Sequence, residues 1–195
     1  MVRRCILGLF LVLLLGCSTI QVSNDYNPSY DFRKLHSFVI LYNKSGESLA
    51  KERIVKALTE AFEAKGYKAA SKDKADFYVV FHVNVTNKSQ IVTDYKTIGV
   101  PYYGYGYYGH RHPYRYSGGT AVVPVYREIN YKEGKIVVDA LDSKTKKIFW
   151  RGTATDRLKS LKTPEERWEY IKEVVTKLLA SFPAKNKPAP KNQKS

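Results

Sequence analysis

Residues 135–155 read KIVVDALDSKTKKIFWRGTAT, with two apolar segments on either side of a short polar one. Residues 135–141 and 147–155 are rich in the apolar and β-branched side chains that favour strands. The five residues between them are short and polar, which suits a tight turn. The stretch therefore predicts a β-hairpin. Alternation in its second strand places Trp150 on one face with Ile148 and Ala154, which predicts a core tryptophan rather than a ligand platform.

Two segments have the apolar spacing of amphipathic helices. The first covers residues 47–65 and ends at Gly66, where a left-handed C-cap belongs. The second covers residues 163–182, with a capping box from Thr163 to Glu166 and Pro164 at the first helical position. The apolar stripes consist of Ile54, Leu58, Ala61 and Phe62 in the first segment and of Trp168, Ile171, Val175, Leu178, Leu179 and Phe182 in the second.

Four further segments are predicted strands: residues 36–42, 75–86, 89–98 and 120–131. The segment 75–86 alternates, and its apolar face, expected in the core, consists of Phe77, Val79, Phe81, Val83 and Val85. Strands joined by hairpins together with two helices predict an α+β fold, a mostly antiparallel, mixed sheet with both helices packed on one face. We expect a single domain over residues 31–182.

The amino terminus has the three-part layout of a secretory signal. Arg3 and Arg4 precede 11 residues without a polar side chain, and the sequence LLGC follows at residues 14–17. As a helix, the apolar run would reach about 16 Å, too short to cross a hydrocarbon core of about 30 Å. The LLGC sequence resembles the lipobox of bacterial lipoproteins. The alternative is an ordinary apolar amino terminus with a chance cysteine.

This resemblance implies cleavage between Gly16 and Cys17, and lipid on Cys17. Residues 1–16 would then be the signal peptide and residues 17–30 the lipidated amino terminus and a tether. Two or three acyl chains make a stable anchor, whereas one chain binds a membrane only marginally. Cys5 would leave with the signal, so lipidation of Cys17 would exclude disulfides and thiol chemistry. By resemblance to Gram-negative sorting, Ser18 favours the outer membrane, with the domain on its periplasmic face.

The chain is strongly basic, with 33 Lys and Arg against 18 Asp and Glu and a formal net charge of +15. In a cytosolic protein such a charge would indicate nucleic acid. Export argues against nucleic acid as a partner. We expect the basic chain to be attracted to anionic envelope components, lipopolysaccharide and peptidoglycan. The protein partner is unknown. The basic tail, residues 183–195, is predicted to be disordered, as a solvated tail or as an arm that associates with the cell wall.

Residues 102–116 read YYGYGYYGHRHPYRY, within a Gly- and Tyr-rich loop over residues 99–119. The candidate ligand-binding residues are Tyr102, Tyr103, Tyr105, Tyr107, Tyr108, His110, Arg111, His112, Tyr114 and Arg115. Their rings are suited to stacking on a glycan or peptide, with the arginines contacting anionic groups. The alternative is a plain surface loop.

His110 and His112 could hold a transition metal only with further ligands, because such metals bind three or four protein groups. No aspartate, glutamate or cysteine lies between Asp94 and Glu128. No G-x-S-x-G elbow, H-E-x-x-H motif or phosphate-binding glycine loop is present either. We therefore expect a protein that is not an enzyme, with no catalytic residues, no metal and no cofactor. A hydrolase with a dispersed site is the remaining catalytic hypothesis.

Several phrases resemble the uncharacterised DUF4136 lipoproteins, and the resemblance covers nearly the whole chain after the signal. The phrases are VSNDY at 22–26, ADFYV at 75–79, GKIVVD at 134–139 and IFWRGTA at 148–154. The resemblance implies a fold and a location but no activity. Two hypotheses follow: a structural or interaction lipoprotein of the envelope, or a binding module for a glycan, peptide or metal at residues 102–116.

Overall fold

The computed structural model describes residues 20–42, 48–100 and 119–188, with Val100 described by its backbone alone. These residues form an α+β fold of six strands and two α-helices, which confirms the predicted fold class. The elements are β1 (Gln21–Tyr26), β2 (Ser37–Leu41), α1 (Leu49–Ala64), β3 (Lys68–Ala69), β4 (Phe77–Val100), β5 (Gly119–Asp142), β6 (Ile148–Arg157) and α2 (Pro164–Leu178). Short 3-10 turns lie at Phe32–Lys34 and Leu179–Ser181.

The strands form one sheet in the order β1-β6-β5-β4-β2-β3. β6 runs antiparallel to β1 and β5, whereas β2 runs parallel to β3 and β4. The sheet is therefore mixed, as predicted. The chain divides into two compact units, the first comprising Met1–Thr86 and Lys132–Ser195 and the second Asn87–Tyr131.

The second unit contains the outer parts of β4 and β5. None of its described side chains is buried. Arg127 pairs with Asp94 at 3.2 Å, but both side chains are more than half exposed. Exposed pairs of this kind contribute little to stability.

The predicted hairpin of β5 and β6 is confirmed, and Asp142 organises its turn. The Asp142 carboxylate accepts hydrogen bonds from the backbone N–H groups of Lys144 and Thr145 at 3.0 and 2.8 Å. It also accepts one from the Tyr30 hydroxyl at 2.8 Å. The Thr145 N–H is the main cause that holds the pKa of Asp142 below its ordinary value. The Asp142 carboxylate therefore stabilises the turn.

A β-bulge in β6 changes the predicted alternation. Ala140 pairs with Trp150 and Leu141 pairs with Ile148, so Phe149 is the additional residue. Phe149 and Trp150 are both buried as a result, and Ala154 is buried as predicted. Ile148, predicted to share the face of Trp150, is 46% exposed.

Both helices end and begin as their local sequence predicts. Gly66 has φ of +91° after α1, and its N–H donates to the Glu63 carbonyl at 2.8 Å. This confirms the glycine C-cap. At the start of α2, the Thr163 hydroxyl accepts from the Glu166 N–H at 3.1 Å, and the Glu166 carboxylate accepts from the Thr163 N–H. This confirms the capping box.

A hydrophobic cluster joins both helices to one face of the sheet, as predicted. Its centre is aromatic. The rings in this centre are Phe32, Phe38, Phe62, Tyr67, Phe77, Phe149, Trp150 and Phe182. Gly152 makes room for the indole of Trp150, because a Cβ at this position would overlap the ring.

The predicted tether over residues 17–30 needs correction. Residues Gln21–Tyr26 form β1, which pairs with β6 from Gln21 opposite Thr155 to Tyr26 opposite Trp150. Five of the six β1 side chains are exposed, so the strand is held by backbone hydrogen bonds and carries no apolar alternation. The domain therefore begins about ten residues earlier than residue 31.

The start of the basic tail is also ordered, against the prediction for residues 183–195. The Tyr67 hydroxyl donates to the Pro183 carbonyl at 3.1 Å, and the Lys185 N–H donates to the Lys65 carbonyl at 2.9 Å. The Lys65 ammonium donates to the Phe182 carbonyl at 2.7 Å, and burial lowers its pKa. Residues 189–195 lie outside the described part of the chain.

The strand boundaries in the middle of the chain also differ from the prediction. Segments 75–86 and 89–98 are one strand, β4, and segments 120–131 and 135–141 are one strand, β5. The predicted loop over residues 99–119 therefore starts and ends inside strands. Its interior, residues 101–118, lies outside the described residues.

Candidate ligand-binding groove

The sites predicted from the sequence lie outside the part of the chain that the structure describes. This holds for Gly16 and Cys17 and for every candidate residue of the loop at 102–116. Within the first unit, a different feature stands out. It is an open cavity of about 380 Å³ between the two helices and one end of the sheet. Small-molecule sites have volumes of roughly 300–1,000 Å³, so this cavity is large enough for a ligand.

The cavity, which we call the helix–sheet groove, is lined mainly by apolar side chains. They come from both helices, from β4, β5 and β6, and from the segment after β6. Examples are Ile54 of α1, Val83 and Val85 of β4, Ile136 of β5, Leu158 after β6 and Ile171 of α2. Ile20, the first described residue, lies at the same groove.

The face of β4 explains why the groove is open. The predicted core face is buried at Phe77, Val79 and Phe81. It was predicted to stay buried through Val83 and Val85, but each of these valines is 51% exposed. The apolar alternation of β4 continues beyond Phe81, the last side chain on this face that is buried. Val83 and Val85 therefore form part of the groove surface.

Gly134 lets the segment after β6 close one side of the groove. The Leu158 N–H donates to the Lys132 carbonyl at 2.8 Å, which holds Leu158 across β5. A Cβ at Gly134 would lie 2.7 Å from the Leu158 side chain, a distance that real contacts do not reach. The glycine therefore permits the close approach of Leu158, which remains 37% exposed.

Four cationic side chains line the groove: Arg53, Lys135, Lys159 and Arg167. One acidic residue, Asp156, lies among them. The Arg167 guanidinium donates to the carbonyls of Leu161 and Lys162 at 3.0 and 3.3 Å, which fixes its position. The groove therefore combines an apolar floor with an excess of positive charge.

Asp156 and Tyr170 form a polar contact in the groove wall. The Tyr170 hydroxyl donates to the Asp156 carboxylate at 2.9 Å, and Asp156 is only 6% exposed. Burial raises the pKa of Tyr170, and the Asp156 carboxylate adds to the effect. Tyr170 is therefore protonated at physiological pH and acts as a hydrogen-bond donor.

The Trp150-Arg151-Gly152 sequence has a structural explanation. Arg151 lies opposite Asp139 on β5, and its guanidinium donates two hydrogen bonds to that carboxylate, at 2.6 and 2.8 Å. The Asp139 carboxylate raises the pKa of Arg151. Asp139 and Arg151 are thus paired with each other across two strands.

The described residues contain no cluster of three or more His, Cys, Asp or Glu side chains that would suit a metal ion. His36 and His82 are both exposed, and His82 lies on β4. Of the helices that the structure describes, none combines the length and apolar character needed to cross a membrane.

Comparison with known proteins gives the family. Residues 22–184 match the model of the domain of unknown function DUF4136, which covers most of the chain. The chain belongs to the DUF4136 family. The match begins inside β1 and extends to the ordered start of the tail, in agreement with the corrected domain boundaries. No curated protein matches the sequence.

The chain is similar to several solved structures of bacterial proteins. A DUF4136 family protein from Bacteroides thetaiotaomicron has a TM-score of 0.49 at 17% identity, over 87% of this chain and 100% of that chain. A PDZ domain protein from Parabacteroides distasonis has a TM-score of 0.49 at 11% identity, over 94% of this chain but 41% of its own. The PelC dodecamer from Paraburkholderia phytofirmans has a TM-score of 0.46 at 11% identity, over 88% and 99%.

Proposed function

We propose that this DUF4136 protein is an outer-membrane lipoprotein, anchored through lipid on Cys17 and facing the periplasm, with a non-catalytic interaction role in the envelope. The observation that carries the proposal is the helix–sheet groove, an apolar surface with four cationic side chains beside the amino terminus of the domain. In the proposal this groove is the binding surface. No cofactor and no nucleic acid take part.

The start of the domain supports a position at the membrane surface. Ile20 lines the groove and is followed directly by β1. Only two residues, Ser18 and Thr19, lie between Cys17 and Ile20, so the α-carbons of Cys17 and Ile20 can be at most about 11 Å apart. Lipid on Cys17 would therefore hold the groove close to the bilayer rather than at the end of a long tether.

The charge of the chain fits the same location. Outside the cytoplasm, the available anionic groups are lipid phosphates, lipopolysaccharide and cell-wall carboxylates, and the formal charge of +15 falls only to +13 when Arg3 and Arg4 leave with the signal. The positive side chains of the groove add a local site to this general attraction. Anionic envelope components are therefore the proposed partners.

The anchor is tested with the two cysteines of the chain. We expect Cys17→Ala to abolish incorporation of labelled palmitate in bacterial cells and to leave an uncut or soluble product. Cys5→Ala is the matched control, because Cys5 lies in the proposed signal, and it should leave labelling unchanged. Normal labelling of the Cys17→Ala protein would disprove the anchor.

A further inference from the structure

The floor of the helix–sheet groove exposes apolar side chains that extend the core. Val83 and Val85 are each 51% exposed, and Leu158 is 37% exposed, within a single concave surface. An apolar ligand that covers these residues would bury the part of each side chain that is still exposed, which favours binding. A contiguous apolar surface of this kind is typical of a binding site.

The charged residues of the groove favour an anionic ligand. Within the described part of the chain, Arg53, Lys135 and Lys159 form no ion pair with an acidic side chain. Asp156, in contrast, is already hydrogen-bonded to Tyr170. A guanidinium binds a phosphate through paired N–H donors, and ammonium groups add positive charge around it. The ligand that fits is therefore an amphiphile with an apolar chain and an anionic head.

We propose that the helix–sheet groove binds one acyl chain of an anionic membrane phospholipid. The chain lies along Val83, Val85 and Leu158, and the phosphate is bound by Arg53 with Lys159 near it. The inference rests on the proposed function, because the anchor on Cys17 places the groove at most about 11 Å of backbone away from the lipid. The bilayer then supplies this ligand at high local concentration.

Photocrosslinking in bacterial cells tests the inference on the full chain. The cells are fed a palmitate analogue that carries a diazirine and an alkyne, which enters phospholipids and the lipid of lipoproteins. Label that is independent of ultraviolet light and lost in Cys17→Ala reports the anchor. Label that needs ultraviolet light reports lipid contact, and mass spectrometry locates it on peptides. We expect it on peptides that contain Val83, Val85 or Leu158, with a mass that includes a phospholipid head group.

Two sets of variants, each with a matched control, identify the contacts. Val83→Asp with Val85→Asp should reduce the light-dependent adducts about tenfold, because the exposed halves of the two valines together are worth about that factor. Ile148→Asp is the control, since Ile148 has similar exposure, 46%, and does not line the groove.

Arg53→Glu should also reduce the adducts about tenfold. The exposed Lys68→Glu on β3 is its control. Circular dichroism of each purified variant shows whether it is folded.

The outcomes separate the inference from the anchor. Cys17-dependent labelling without phospholipid adducts in the groove would overturn the inference and leave the anchor intact. Groove peptides linked to the peptide of Cys17 would show that the protein's own acyl chain is the occupant, which also overturns it. Equal loss of adducts in a groove variant and in its control would also overturn the inference. Groove adducts that persist in the Cys17→Ala protein support the inference even if the anchor fails.

Discussion

Trp150→Ala is expected to lower the free energy of unfolding by about 3–5 kcal/mol, the usual cost of deleting a fully buried aromatic side chain. Trp150 has no exposed surface, packs edge-on to Phe182 at 5.1 Å between ring centroids and lies over Gly152. Domains of this size are stable by only about 5–15 kcal/mol, so the loss is a large share of the total. Urea unfolding followed by circular dichroism measures it.

The second tryptophan of the chain provides the control. Trp168 is only partly buried on α2, and the Lys56 ammonium lies 4.6 Å from its ring centroid. Trp168→Ala should cost about 1 kcal/mol, typical for an exposed cation–π contact. Equal costs for the two substitutions would contradict the buried position of Trp150.

Phe182→Ala is expected to have a similar effect, about 3–5 kcal/mol, because this residue connects the aromatic core. Its ring contacts Phe62 at 5.2 Å and Tyr67 at 5.8 Å between centroids. The loss should also release the start of the tail, where the Lys185 N–H donates to the Lys65 carbonyl. Urea unfolding gives the stability, and hydrogen exchange of the Lys185 amide gives the local effect.

A conservative variant separates volume from position. Phe182→Leu keeps most of the apolar volume and should cost less than about 1.5 kcal/mol. Its Lys185 amide should exchange at nearly the rate of the original protein. If Phe182→Leu costs as much as Phe182→Ala, the ring contacts rather than the filled volume explain the stability. If neither variant is destabilised, Phe182 does not occupy the centre of the core.

Local sequence signals predicted the elements that local interactions determine. The hairpin turn at Asp142, the capping box at Thr163 and the C-cap at Gly66 each depend on residues within a few positions of one another. β1 could not be predicted in this way, because its side chains are exposed and a distant strand, β6, supplies its hydrogen bonds. The ordered start of the tail depends likewise on Lys65 and Tyr67, far away in the sequence.

The groove was not predicted, although the strand face that carries two of its valines was. Alternation assigns Val83 and Val85 to the core face of β4, and this assignment of the face is correct. How far the helices cover that face depends on packing between segments that are distant in sequence, which a periodic pattern does not contain. Gly134 is the local sequence feature that relates to the groove, because a glycine at this position permits Leu158 to approach β5.

The proposed anchor brings these features together, since it would hold the groove at a membrane surface. The mass of the amino-terminal peptide of the protein purified from bacterial membranes tests it most directly. The account predicts a peptide that begins at Cys17 and carries a diacylglyceryl group and an amide-linked acyl chain. A peptide that begins at Met1, or an unmodified peptide that begins at any residue after the signal, would contradict it.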